Sequence, residues 1–146
     1  MQGRWVDHRR LYGNESLSWN IAHHFSTSHD RKAVVIAETP AALLGSVSKQ
    51  WQKVLRQLQR QRSSTLDASK IYELTNLLAD MQSIHMSAKP PCDMHGQDVD
   101  MHFMTVEQAL ELPPLCETLY VTVPLEDATL DKIRQRMPSH AMTVLY

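Results

Sequence analysis

The sequence predicts an α/β domain in three layers, with about four mostly parallel strands between flanking helices. Two observations lead to this prediction. Short apolar stretches rich in β-branched residues alternate with amphipathic segments of helical periodicity over residues 16–146. The first of these stretches, AVVIA at 33–37, is apolar throughout, which is typical of a strand buried on both faces of a parallel sheet.

A helical hairpin is expected between the first two strands. Thr39 and Pro40 supply an N-cap and a proline at the first helical position, and the helix that follows extends to Arg62. The polar segment 63–65 interrupts the helical pattern, which resumes near Asp67. Two helices joined by so short a break are expected to pack as an antiparallel pair.

The second half of the chain predicts three further strands with helices between them. The strand candidates are the apolar and β-branched stretches at 99–104, 118–123 and 141–146. A short helix capped by Thr105 and a helix over 126–137 separate these strands. Because strands alternate with helices, a parallel or mostly parallel sheet is expected.

Length and composition indicate one domain without a membrane span. The chain has 146 residues, of which 42% are hydrophobic and 21% are charged, as in an ordinary globular protein. No stretch approaches the roughly 18 apolar residues of a membrane-spanning helix, and the N-terminus lacks the apolar core of a secretory signal. We therefore expect a cytoplasmic protein with one folded domain over 16–146. Residues 1–15 show no periodic pattern and are expected to form an N-terminal arm that is a candidate for disorder.

Motifs of the common nucleotide-binding and hydrolase classes do not occur. The chain has only four glycines, and neither G-x-G-x-x-G nor G-x-x-x-x-G-K-[ST] is present. The G-x-S-x-G motif of serine hydrolases is not present either. The sequence accordingly predicts no cofactor, and a non-enzymatic protein is favoured.

Carboxylates that follow the predicted strands allow an enzymatic alternative. In open α/β sheets, ligands bind at the carboxyl ends of the strands, where Glu38, Glu107, Glu126 and Asp127 are expected. These acids could hold Mg²⁺ in a phosphoryl-transfer or nuclease-type enzyme. Acids in the first turn of a helix also offset the helix dipole, and this structural role is favoured here.

A group of cysteine and histidine residues is a second candidate for chemistry. Cys92, His95 and His102 lie within eleven positions, and Cys116 could complete a tetrahedral metal site. No second pair at zinc-finger spacing accompanies them. Ordinary loop and strand positions are therefore favoured, and no metal site is predicted.

The long helix carries the strongest functional feature of the sequence. Residues 39–66 contain five cations and no acid. Four of the cations follow the spacing i, i+4, i+7, i+11 and share one face of the helix, and the fifth comes just beyond it. We call this set the basic face; it comprises Lys49, Lys53, Arg56, Arg60 and Arg62. The apolar residues are displaced by two positions, or about 200° around the helix, so the basic face is expected to point outward.

The basic face predicts a binding function. Since no acid on the same helix can pair with these cations, they must meet solvent, an acidic surface or phosphate groups. The sequence predicts an accessory or regulatory protein whose basic helix contacts nucleic acid, with DNA and RNA not distinguished, or an acidic protein partner. A self-associating module is a further alternative, because residues 1–73 carry a net charge of +5 and residues 74–146 carry −6. Unlike surfaces of this kind favour a homo-oligomer.

Overall fold

Strands and helices alternate along the chain. The computed structural model describes residues 4–7, 17–28, 32–73, 92–97 and 99–145. A helical segment at 68–73 lies among its elements. The other elements, in chain order, are β1 (Arg4–Asp7), α1 (Leu17–Thr27), β2 (Lys32–Ile36), α2 (Pro40–Arg60), β3 (Asp100–Met104), α3 (Val106–Glu111), β4 (Thr118–Val121), α4 (Asp127–Arg134) and β5 (Met142–Leu145).

The five strands form one parallel sheet in the order β1-β5-β4-β2-β3. β2 lies inside the sheet, with Val35 beside Phe103 of β3 on one side and beside Tyr120 of β4 on the other. This arrangement confirms the predicted α/β fold with a parallel sheet. Within the described ranges the sheet has five strands, where about four were expected.

β1 is the strand that the sequence analysis did not identify. It falls within the predicted N-terminal arm and pairs with β5, from Arg4 beside Met142 to Asp7 beside Leu145. The segment is four residues long and charged at both ends, so no apolar alternation marks it as a strand. β1 forms a strand because it pairs with β5, which lies far from it in the sequence. The rest of the arm lies outside the described residues.

The sheet separates two hydrophobic cores. Successive side chains of a strand point to opposite faces, and β2 contributes to both cores in this way. Ala33 and Val35 pack with side chains of α1 and α2, whereas Val34 and Ile36 pack with those of α3 and α4. The molecule therefore has three layers, with α1 and α2 on one face of the sheet and α3 and α4 on the other.

The predicted helical hairpin is described only in part. α2 ends at Arg60, and the next helical segment begins at residue 68. Asp67 caps this segment, because its Oδ1 accepts a hydrogen bond of 2.8 Å from the backbone N–H of Lys70. That bond holds the pKa of Asp67 below its ordinary value. Residues 74–91 lie outside the described residues, so the antiparallel packing of the second helix stays a prediction.

A topological switch point lies between β2 and β4. These strands are neighbours in the sheet, but the helices that follow them, α2 and α4, cover opposite faces. At such a point a crevice opens outside the carboxyl ends of the two strands. Ala37 and Glu38 after β2, and Val123 and Pro124 after β4, line a cleft at this point.

Candidate nucleic-acid interface

Apolar side chains hold α2 against the sheet and α1. The buried residues repeat every three or four positions and include Leu44, Val47, Trp51, Val54 and Leu58. The indole Nε1 of Trp51 also donates a hydrogen bond of 3.2 Å to a backbone carbonyl of the loop at 92–97. These contacts fix the rotation of α2 about its axis, so its opposite face must point away from the protein.

The basic face lies opposite the buried row. All five of its residues are exposed, and the four on α2 extend for about 16 Å along the helix axis. None of the five forms an ion pair with another described residue. No acid in the described part of the chain therefore neutralises this row of positive charge. With four cations, α2 is not apolar enough to cross a bilayer, and neither is any other helix in the described ranges.

Neutral amides lie among the cations of the basic face. Gln57 is exposed, and Gln50, Gln52 and Gln59 are partly exposed. Amide side chains both donate and accept hydrogen bonds, which suits contacts with sugars and base edges. The single aromatic residue of α2, Trp51, is buried. The helix therefore offers polar and cationic contacts but no surface on which unpaired bases could stack.

The basic face ends in a helix-terminating motif with a left-handed residue. The backbone N–H of Ser63 donates to the carbonyl of Leu58 at 2.8 Å, and that of Arg62 donates to the carbonyl of Gln59 at 3.0 Å. These two bonds define a Schellman motif with Arg62 at the C′ position. Arg62 has φ = 58°, in the region where glycine is usually found. An arginine therefore occupies a position that favours glycine.

The segment after α2 is anchored to the loop at 92–97. The hydroxyl of Ser64 and the backbone N–H of Thr65 donate to the carbonyl of Met94, at 2.9 and 3.0 Å. The backbone N–H of Met94 in turn donates to the carbonyl of Ser26 in α1, at 2.9 Å. These bonds fix the end of the basic face relative to the rest of the domain.

The candidate metal ligands of the sequence analysis lie apart. Cys92 and Cys116 are buried free thiols, the second of them in the core formed with α3 and α4. His95 is exposed in its loop, and His102 lies on β3 with its Nε2 2.9 Å from a carboxylate oxygen of Asp100. Among the residues that the structure describes, no three His, Cys, Asp or Glu side chains are grouped to hold a metal ion.

Two of the four strand-end acids share a cleft at the switch point. Glu38 and Glu107 line a cleft of about 410 Å³ between the connections that follow β2 and β3. Asp127 lines an adjoining cleft of about 380 Å³, and Pro124 borders both. Glu126 is the exposed N-cap residue of α4. The described residues lining the first cleft include no Lys or Arg, so it offers carboxylates without a phosphate-binding cation.

A capping box accounts locally for the start of α3. The Oγ1 of Thr105 accepts a hydrogen bond of 3.2 Å from the backbone N–H of Gln108, and the Oε1 of Gln108 accepts one of 2.9 Å from the backbone N–H of Thr105. Glu107 lies in the first turn of the same helix, where a negative charge offsets the helix dipole. The Thr105 cap expected from the sequence is confirmed.

Two parts of the interface were missed by sequence reasoning. The left-handed conformation of Arg62 has no sequence marker, because glycine is the residue that usually indicates it. The anchoring loop did carry a signal, since Asp93 and Gly96 are typical turn residues. The Oδ1 of Asp93 accepts hydrogen bonds from the backbone N–H groups of His95 and Gln97, and Gly96 has φ = 81°.

Comparison with known proteins leaves the function to be argued from these residues. The chain matches no protein-family model, no curated protein and no solved structure. The basic face and the packing that holds α2 in place are therefore the basis for a functional assignment.

Proposed function

We propose that this protein is a non-enzymatic nucleic-acid-binding protein that contacts phosphate groups through the basic face. One observation carries the proposal: five exposed cations lie together on a rigid support, and none pairs with an acid among the described residues. Like charges four residues apart destabilise a helix by about 0.2–0.5 kcal/mol per pair. Lys49 with Lys53 and Arg56 with Arg60 are two such pairs. A binding partner rich in phosphate offsets this cost.

The shape of the basic face favours sequence-independent binding. α2 packs along its length on α1 and the sheet, so its outer face is a shallow surface and not a projecting helix end. Such a surface suits contacts with the phosphate backbone, while the glutamines can contact sugars. Since α2 exposes no aromatic side chain, structured or double-stranded nucleic acid is favoured over unpaired strands.

Neutralising three cations of the basic face tests the proposal. In the variant Lys53→Gln/Arg56→Gln/Arg60→Gln, helix propensity is nearly constant and the buried row is untouched. We expect unfolding free energy to change by less than about 1 kcal/mol, because exposed cations without partners contribute little. The slope of log affinity against log salt should become shallower by about two to three, since three phosphate contacts are lost. Affinity is measured on nuclease-treated protein by titration of labelled duplex at several salt concentrations.

A matched variant controls for net charge. Lys32→Gln/Lys70→Gln/Lys132→Gln removes three exposed cations that are not part of the basic face. It should retain most of the affinity and nearly the parental salt slope. If the two triple variants bind equally well, or if the parent does not bind nucleic acid even at low salt, the proposal is wrong. In the second case, co-purification of an acidic protein with the parent but not with the basic-face variant would identify the other class of partner.

A further inference from the structure

A second exposed surface lies around α3, across the sheet from α2. Leu110, Leu112 and Leu115 are 39%, 68% and 51% exposed. Glu107 and Glu111 are also exposed, and with Leu110 they have the i, i+3, i+4 spacing of one helix face. We call these five residues the acidic leucine surface. The three leucines lie within six positions of the sequence, and exposed apolar residues that form a patch are typical of protein interaction sites.

The stretch of sequence that contains this surface is acidic. Residues 90–131 contain nine acids and no Lys or Arg, whereas residues 39–66 contain five cations and no acid. In the neighbouring α4 the charges are mixed: burial lowers the pKa of Arg134, and the negative charge of Asp131 opposes that shift. The guanidinium of Arg136 donates a hydrogen bond of 3.1 Å to the carbonyl of Pro113. α3 itself has two acids and no Lys or Arg, whereas α4 has two of each, and Arg136 is a cation at the edge of the acidic leucine surface.

We propose that the acidic leucine surface of one copy of this chain docks against the basic face of another copy. The two surfaces are complementary in charge. They are also complementary in chemistry, because the methylene stems of Lys and Arg pack well against apolar side chains while their charged heads reach carboxylates. Glu107 and Glu111 would meet the cations, and the leucines would cover the stems.

The fold prevents the two surfaces from meeting within one molecule. α2 packs on one face of the sheet and α3 on the other, so the sheet lies between them. A contact between the surfaces therefore requires two copies. Because it joins unlike patches, the contact is head to tail and leaves one free surface of each kind at the ends. Further copies should therefore bind at either end and form open chains, unless the rotation between neighbouring copies closes a ring.

Charge reversal on each surface, followed by mixing, tests this inference. Sedimentation velocity on nuclease-treated protein should show an average mass of several copies at about 0.01 M salt and of one copy at about 1 M salt, where charges are screened within about 3 Å. Lys53→Glu/Arg56→Glu and Glu107→Lys/Glu111→Lys should each remain single copies at low salt. An equimolar mixture of the two variants should associate again. The altered basic face of the first variant is complementary in charge to the altered acidic leucine surface of the second. Restoration on mixing shows that both variants are folded.

Two controls make the result specific. Lys32→Glu/Lys132→Glu changes net charge by the same amount outside both surfaces and should assemble like the parent. Leu112→Ser keeps every charge and should lower the mass at low salt. A parent that is a single copy at low salt, or assembly that persists in both reversal variants, would overturn the inference. These readouts need no nucleic acid, so failure here is separate from failure of the proposed function.

Discussion

At the scale of single residues, Arg62 adopts a backbone conformation that is unfavourable for any residue other than glycine. The fold does not require an arginine at this position. A left-handed conformation costs a residue with a side chain roughly 1–2 kcal/mol, and glycine avoids this cost. Arg62 nevertheless stands at the C′ position with φ = 58° and is exposed. Its charge is favourable beside the negative end of the helix dipole and extends the basic face by one cation. Strained residues of this kind are concentrated at functional sites.

We expect Arg62→Gly to separate stability from binding. The glycine relieves the strained backbone but adds freedom to the unfolded chain, so the unfolding free energy should be unchanged or higher by up to about 1 kcal/mol. The salt slope of duplex binding should fall by about one, as for the loss of one phosphate contact. Thermal unfolding and the salt titration measure the two effects. Arg62→Ala is the control, because it removes the same charge and keeps the strain; if it were more stable than Arg62→Gly, the strain argument would fail.

At the scale of elements, β5 holds the sheet together. It pairs with β4 on one side and with β1 on the other, so two strand contacts depend on it. Thr143 and Val144 are fully buried, and Leu145 packs against the core formed with α3 and α4. The strand expected at 141–146 is confirmed over Met142–Leu145; of the two residues expected to be buried in it, Val144 is fully buried and Leu145 is only partly buried.

Deleting residues 143–146 should unfold the protein. The loss of side-chain burial amounts to about 3–6 kcal/mol, which is comparable with the whole stability of a marginal domain. Circular dichroism and solubility after expression measure the outcome. The milder variant Val144→Ala should stay folded and lose about 1.5 kcal/mol of unfolding free energy, from two buried methyl groups. A soluble truncated protein with the parental Tm would show that β5 does not have this role.

At the scale of the whole molecule, the sheet separates the two surfaces to which the proposals assign binding. The basic face lies on the α2 side, and the acidic leucine surface lies on the α3 side. The two proposals use the same basic face, so a nucleic acid and a second copy of the chain cannot occupy it together. Binding of either one must then lower the apparent affinity for the other.

This competition gives a prediction for Leu112→Ser. The substitution lies away from the basic face and leaves all charges in place. If the protein did not self-associate, the substitution would not change its affinity for duplex. If self-association occupies the basic face, the variant should bind duplex more tightly than the parent at low salt and high protein concentration. The difference should disappear on dilution, where neither protein associates. Equal affinities under both conditions would show that assembly does not block the nucleic-acid surface.

Much of the candidate interface could be predicted because helix periodicity is local. The cations and the apolar row of α2 are separated by a rotation that depends only on residue spacing, and the structure places Lys53 outside and Trp51 inside as expected. The capping box of Thr105 and Gln108 depends on residues three positions apart and could be predicted for the same reason. The left-handed turn at Arg62 could not be predicted from the sequence. Carbonyls of the preceding helical turn stabilise it, and the glycine that usually marks such a turn is not there.

The sequence by itself determined the parallel α/β class, four of the five strands and the outward direction of the basic face, since each depends on patterns a few residues long. Only the tertiary structure decided the strand order and the identity of β1, whose partner β5 lies at the other end of the chain. It also decided that Glu38 and Glu107 share a cleft, and that the acidic leucine surface lies across the sheet from α2. These features depend on contacts between distant segments, and the local alternation of apolar and polar residues does not specify which segments meet.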